Sequence, residues 1–346
     1  MEQRLMDLWY GPRAGASWLQ PLGWAYGAAI AVRGAAYARG WLRAYRVAKP
    51  VVVIGNLTVG GTGKTPFTIW LAERLKERGV AAGVVARGYR RAGARHTAPR
   101  VVQARSRWEE VGDEPLLIHR RTGCPTVVAA DRVAAAVRLA AEPIDVILSD
   151  DGLQHLRLAR DCEIALVDGA RGFGNGRLLP AGPLREPVSR LERVDLIVVN
   201  GAAGPAALAH APLAGTPPVL QMTLVLGAAQ RLDGASSEPL ERFRAERVHA
   251  VAGIGNPERF FRDLKSRGIE AIEHPFADHH PFTAEELAFP DDRPILMTEK
   301  DAVRCAAFST SRMWYVPATA TLGEAQASAV VERICGGIDA ARTRKR

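Results

Sequence analysis

Val51-Val52-Val53-Ile54-Gly55-Asn56-Leu57-Thr58-Val59-Gly60-Gly61-Thr62-Gly63-Lys64-Thr65-Pro66 decides how the rest of this chain reads. Four β-branched residues run into a glycine-rich turn, and a helical pattern follows from about Thr65 to Arg78. Strand, loop and helix in that order make a phosphate cradle. Small residues let backbone N–H groups close around phosphate oxygens, and the helix N-terminus adds its dipole. Thr58, Val59, Gly60, Gly61, Thr62, Gly63, Lys64 and Thr65 are thus the candidate nucleotide-binding loop. Lys64 suits the β- and γ-phosphates of ATP, and the Thr65 hydroxyl suits Mg²⁺. Pro66 fits a first helical turn, where a missing N–H is harmless. The strict pattern has glycine where Thr58 stands, so the loop is a variant with its glycines at 60, 61 and 63.

Beyond this loop the chain alternates apolar strands and helices. Strands are expected at Val80–Ala86, Thr126–Ala129, Ile144–Leu148, Ile164–Val167 and Leu196–Val199, with a helix from about Arg132 to Ala141. Continuous apolar strands separated by helices predict a parallel sheet covered on both faces. The fold class expected is α/β: a P-loop NTPase with a doubly wound, mostly parallel sheet, a second, smaller α/β domain and an N-terminal amphipathic helix. Composition shifts to Ala, Gly and Pro near 200–218, as at a boundary. The expected divisions are 1–48 (N-terminal helix), 49–218 (P-loop core), 219–318 (smaller domain) and 319–346 (terminal helix and basic tail).

Residues 17–46 read as one helix, with Arg39, Arg43 and Arg46 on one side and Tyr26, Ile30, Tyr37 and Trp41 on another. That pattern suits a helix lying in lipid headgroups, and equally a helix whose aromatic stripe packs on the next domain. No stretch reaches the about 18 apolar residues of a spanning helix, and the first residues do not read as a secretory signal. The net charge of +9 suits an anionic partner: nucleotide, acidic lipid or nucleic acid. Nucleic acid is disfavoured, because no zinc-finger spacing, RNA-binding signature or aromatic–basic stripe is present. Cys124, Cys162, Cys305 and Cys335 are too scattered for a staple or zinc site and fit a reducing cytoplasm.

A phosphate loop needs a carboxylate from a neighbouring strand to hold the metal. Asp150 and Asp151 follow the run Ile144–Leu148 and fit, although adjacent acids also suit a solvated turn. Arg87 and Tyr89 end the second strand, where doubly wound sheets bind ligands; a surface arginine there is an equal reading. Gly172 to Gly176, followed by Leu179 to Glu186, forms a Gly- and Pro-rich loop with an Arg185-Glu186 pair. It is a functional loop or a plain surface connection. Asp113-Glu114 and Asp278-His279-His280 are the remaining constellations, and their spacing alone assigns no role.

Taken together these residues resemble the tetraacyldisaccharide 4'-kinases of lipid A biosynthesis. The resemblance runs through Gly55–Pro66, Arg87-Gly88-Tyr89, Val111–Pro115, Asp150–His155, Gly172–Glu186, Ala252–Pro257, Asp278–His280 and Thr298–Asp301. It implies ATP-dependent phosphorylation of the 4'-hydroxyl of a tetraacylated glucosamine disaccharide 1-phosphate. It implies that Lys64 and Thr65 hold ATP and Mg²⁺, and that Asp150 and Asp151 are the metal acids with His155 and Glu186 nearby. Asp113 is then the base, paired with His279, with Asp278 beside them. Arg87, Tyr89, Asn175 and Arg185 then face substrate or phosphate. It further implies a monotopic protein on the cytoplasmic face of the bacterial inner membrane, with the N-terminal helix on an anionic surface. Ala86, Leu153 and Arg304 depart from the family's usual Ser, Phe and Lys, differences expected to touch only local contacts and packing. Two rivals remain on this reading: a nucleotide switch that phosphorylates nothing, and a kinase of a soluble substrate.

Overall fold

The computed structural model describes residues 2–11, 17–88, 98–202 and 217–343. Its strands are β1 (Val51–Gly55), β2 (Ala82–Ala86), β3 (Arg100–Val101), β4 (Thr126–Val128), β5 (Val146–Asp150), β6 (Cys162–Asp168), β7 (Leu196–Asn200), β8 (Val219–Leu226), β9 (Ala229–Arg231), β10 (Ser237–Glu238), β11 (Val248–Ala252), β12 (Ala271–Pro275), β13 (Ile295–Thr298), β14 (Met313–Val316) and β15 (Ala318–Leu322). Its α-helices are α1 (Glu2–Tyr10), α2 (Gln20–Ala38), α3 (Lys64–Glu77), α4 (Trp108–Val111), α5 (Asp113–Thr122), α6 (Arg132–Ala140), α7 (Pro257–Ser266), α8 (Glu299–Cys305) and α9 (Glu324–Thr343).

The large sheet has the order β15-β8-β7-β6-β1-β5-β2-β4-β3 and is parallel except at its two edge strands. β1 lies at its centre, with β5 and β6 as parallel neighbours. Its residues alternate between two cores. Val52 and Ile54 join Phe67, Leu71 and Leu75 of α3 on one face, while Val51 and Val53 join Ala136 and Leu139 of α6 on the other. A strand buried on both faces has no polar position to spare, which is why β1 reads as an unbroken apolar run. α9 packs Val330, Val331 and Ile334 on the α3 face.

The expected boundary at 219 falls one strand early. β8 pairs in parallel with β7, and β15 returns to pair antiparallel with β8, so both belong to the large sheet. The second sheet, β10-β9-β14-β13-β11-β12, is an insertion between β8 and the edge strand β15. The chain crosses at Gly227 and Pro317, joined by the Gly227 N–H donating to Pro317 O at 2.9 Å.

The expected helix over 17–46 is shorter. α2 stops at Ala38 because Gly40 takes φ +74°, the left-handed conformation that ends helices. Arg43 and Arg46 therefore lie in extended chain: Arg43 stands over the Tyr45 ring at 5.2 Å, and Arg46 pairs with Asp161. The two readings of this segment divide between two faces. Gly23, Gly27 and Tyr26 dock α2 on the loop at 178–185, with Tyr26 Oη donating to Arg185 O at 3.0 Å. Trp18, Leu22, Trp24 and Val32 stand exposed, Trp24 by 67%. No helix among the described residues is long and apolar enough to cross a membrane.

Phe67 is fully buried under the sheet. Phe67→Ala is expected to destabilise the large domain by about 3–5 kcal/mol, read as a lower midpoint in urea unfolding.

Candidate active site

The phosphate loop is shaped from within and from outside. Asn56 Nδ2 donates to Thr58 O at 2.8 Å, and Asn56 Oδ1 accepts from Lys64 Nζ at 3.1 Å. The loop at 183–185 straps it: Val59 N donates to Pro183 O at 2.8 Å, and Arg185 N donates to Leu57 O at 2.6 Å. Asn200, at the end of β7, donates to Thr62 O at 3.1 Å. At Gly63, φ +89°, an added Cβ would lie 2.5 Å from Asn200 Nδ2, so the position accepts only glycine.

Asp150 ends β5, in register with Ile54 of β1, and accepts from Thr68 Oγ1 at 3.2 Å. Burial and the nearby charges of Glu114 and Asp151 push its carboxyl up to about 7, against Lys64 and Thr68. Asp151 differs. Burial would raise it, but Lys64 at 3.6 Å and Arg185 at 3.1 Å hold it well below the usual carboxylate range. Its φ of +49° is left-handed, a conformation that costs about 1–3 kcal/mol and gathers at functional sites. Arg132 opens α6 beside these acids, buried, with Nε lacking a hydrogen-bond partner among the described residues. Burial pushes it down to about 10, against the attraction of Asp151 and Asp150.

The second cluster crosses between the sheets. Asp113 is the first residue of α5 and is buried. Both its oxygens lie within 3.0 Å of His279 Nδ1 from the small domain. His279 has φ +58°, again left-handed. Lys300 Nζ meets Glu114 at 2.9 Å, Asp278 at 3.0 Å and His279 Nε2 at 3.3 Å. Arg304 Nε lies 3.4 Å from Asp113 Oδ2, and its NH2 donates to Gly253 O at 2.9 Å. Burial would raise the Asp113 carboxyl, but Lys300, the His279 hydrogen bond and Arg304 hold it well below the usual range. Arg304, read from sequence as a packing difference, thus bears on the charge of Asp113.

A family model described as tetraacyldisaccharide-1-P 4'-kinase matches residues 15–335. The chain belongs to this family. The tetraacyldisaccharide 4'-kinase of Alkalilimnicola ehrlichii is 49% identical over 302 residues, covering 87% of each chain. That of Nitrosococcus oceani is 46% identical, over 92% of this chain and 90% of its own. The fold is also similar to the crystal structure of "apo" form LpxK from Aquifex aeolicus in complex with ATP. The TM-score is 0.77 at 27% identity, covering 93% of this chain and 99% of that one.

For this family member the sequence-derived site residues divide clearly. Lys64, Thr65, Asp150, Asp151 and Arg185 gather at the phosphate loop, and Asp113, Asp278 and His279 gather at the domain junction. Arg87 is exposed at the end of β2, and Tyr89 lies outside the described residues. Asn175 is committed to its own loop, donating to Ala181 O at 2.9 Å and accepting from Arg177 N at 3.1 Å. The five expected metal residues are not one shell: among the described residues no three His, Cys, Asp or Glu side chains converge as a metal-binding set. Glu186 is held by Gln154 at 2.8 Å and Arg190 at 3.4 Å. His155 is pushed down to about 4 by burial and by Arg132, and its Nε2 is buried without a hydrogen-bond partner among the described residues. A smaller set has the hard oxygen donors that Mg²⁺ takes: the Thr65 hydroxyl at the loop and the buried Asp150 carboxylate at the end of β5.

Sequence reasoning passed over Arg132, Lys300, Glu114 and Asn200 as site residues. Only Asp113-Glu114 and the Thr298–Asp301 stretch had drawn notice, because a lone Arg or Asn in a helix or strand end carries no spacing signal.

Asp150 protonates near 7 folded and near 3.8 unfolded, so the folded state holds the extra proton between these values and its stability falls as pH rises through them. Asp150→Asn removes this dependence. Its melting temperature should gain on the wild type from pH 4 to 7, without nucleotide or metal, and level off above. A pH-independent difference would contradict the buried acid.

Proposed function

We propose that the chain transfers the γ-phosphate of ATP to the 4'-hydroxyl of a tetraacylated glucosamine disaccharide 1-phosphate, the reaction of its family. The observation that carries this reading is the Asp113–His279 pair, which bridges the two domains beside a large domain that bears a lysine-carrying phosphate loop. A nucleotide switch has no use for such a proton acceptor.

The roles follow from the chemistry. The loop at 58–65 seats the triphosphate, and Lys64 leaves Asn56 and Asp151 for its phosphate oxygens. Mg²⁺, when bound, would neutralise charge on the β- and γ-phosphates, with Thr65 and Asp150 as its protein ligands. Arg132 and Arg185 add positive charge where the transferring group passes. The sugar oxygen forms a bond to the γ-phosphorus as the bond to the β-bridging oxygen breaks, and the hydroxyl proton passes to Asp113. A strongly acidic carboxyl is a weak base. The transition state of phosphoryl transfer is loose, however, and the proton leaves late, so positioning matters more than basicity. His279, fixed by Asp113 and beside Lys300 and Asp278, orients the carboxylate. The exposed Trp18, Leu22 and Trp24 of the N-terminal segment would rest in lipid headgroups, keeping acyl chains in the bilayer while the sugar enters the cleft.

The test is transfer of labelled phosphate from ATP to the acylated disaccharide phosphate in detergent micelles. Asp113→Ala should lower kcat by about 10²–10⁴-fold and leave ATP affinity within about twofold. Equal losses of both would refute the role of Asp113. Trp18→Ala combined with Trp24→Ala should move the protein off anionic vesicles in a sedimentation assay while activity on micellar substrate persists. Unchanged sedimentation would exclude the docking face.

A further inference from the structure

Arg171, in the turn after β6, takes no part in the reading above, yet three parts of the molecule meet at it. Its guanidinium donates to Gly255 O of the small domain at 2.7 Å. The same group stands 5.5 Å from the ring centre of Tyr10 in α1. Its backbone N–H is held by Asp168 Oδ1 at 3.0 Å, and Asp168 Oδ2 accepts from Asn256 Nδ2 at 3.4 Å. Asp168 ends β6, the neighbour of β1, so one strand end grips two successive residues of the loop at 253–257. That loop lies on the phosphate loop itself. A Cβ at Gly255 would fall 2.4 Å from Gly61 N and 3.1 Å from Gly60 C. Tyr10 also reaches the loop through the Thr58 side chain, and burial, opposed by Arg171 and Thr58, pushes its phenol up to about 12, so the ring stays neutral.

We propose that Arg171 is a positioning residue for phosphoryl transfer: it clamps the Gly255 turn of the small domain onto the phosphate loop, and Tyr10 of the N-terminal helix holds it in place. The proposal rests on the kinase reading. The small domain is tied to the large sheet covalently only at Gly227 and Pro317, on the β8–β15 edge. Every bridge formed away from that edge favours the arrangement in which His279 meets Asp113. A hydrogen bond from a charged donor to a carbonyl is among the stronger of such bridges. Arg171 donates to the small domain and to no atom of the phosphate loop, so its loss should open the domains without unseating ATP. Tyr10 belongs to the segment that also presents Trp18 and Trp24, so the clamp ties the surface-facing end of the molecule to its cleft.

The test uses the full chain in detergent micelles with Arg171→Ala, Arg171→Lys, Gly255→Ala and Tyr10→Leu. Kinetics are measured alongside the distance between spin labels at Val137→Cys and Lys265→Cys in a Cys335→Ser background, with a non-hydrolysable ATP analogue bound. Arg171→Ala should lower kcat about tenfold, the effect expected of one hydrogen bond from a charged group, with the KM for ATP within about twofold and a longer label distance. Gly255→Ala, whose Cβ presses on Gly61 N, should lengthen the distance as well and weaken ATP binding too. Arg171→Lys should recover part of kcat, and Tyr10→Leu should fall between. Wild-type kcat in Arg171→Ala overturns the clamp, and so does a lost kcat with an unchanged distance distribution. If the unsubstituted chain transfers no phosphate to the lipid, the kinase reading fails, and the distance measurement still judges the clamp.

Discussion

The contact between Asp113 and His279 is the constraint on which the rest of the architecture depends. The two residues sit on separate sheets, 166 positions apart in the chain. Neither side chain is comfortable alone. Asp113 is a buried carboxylate that needs cations, and His279 holds a backbone conformation that non-glycine residues avoid. Lys300 and Arg304 of α8 supply the cations, and both come from the small domain. A buried acid on one body whose counter-charges among the described residues lie on the other makes closure itself the event that satisfies the charge. On the proposed clamp, separating the domains would return these groups to water, which solvates them well, and a bound ligand could shift the balance.

The insertion of the small domain between β8 and β15 explains how such closure is geometrically possible. Both crossings lie side by side on one edge of the large sheet, where Gly227 and Pro317 are joined by one hydrogen bond. Two adjacent crossings leave rotation about a single line. The phosphate loop at the end of β1 and the Asp113 end of α5 lie away from this edge, so modest rotation there produces useful displacement. β1 cannot follow such a motion: it is buried on both faces and bonded to two parallel neighbours. On the proposed clamp the phosphate loop would be the fixed half of the site, and the loops at 253–257 and 278–280 the moving half.

Much of this was legible in the residues, for identifiable reasons. β1, β5, β6 and β7 are buried on both faces, and burial leaves an apolar run with no ambiguity of phase. The phosphate loop is local, so its strand, turn and helix appear in order. The β8 boundary was misplaced because a strand with one exposed face alternates whichever sheet it joins. α2 was overextended because its arginines continue at helical spacing past Gly40, and only the left-handed turn there reveals the stop. Asp113 and His279 were named through resemblance rather than spacing, since nothing local links residues from two sheets. Asn175 shows the converse. A polar residue in a glycine-rich loop invites a ligand role, yet its amide is consumed in folding that loop.

The same accounting bears on what the net charge of +9 is for. Arginines within the site, Arg132, Arg185 and Arg304, are spent against Asp150, Asp151, Asp113 and Asp301. Their charges are locally balanced and attract phosphate only over short range. The arginines near the N-terminal segment are placed differently. Arg39 stands over the exposed Trp41, and Arg43 and Arg157 flank Tyr45 from opposite parts of the chain. A guanidinium over an aromatic ring keeps its charge while covering an apolar face. Exposed rings and arginines in one region give an anionic lipid surface both an apolar and an electrostatic reason to bind. On the proposed reading the two uses of arginine separate in space: charge neutralised inside the cleft for transfer, and the Arg39 and Arg43 guanidiniums over rings where a lipid-borne substrate would arrive.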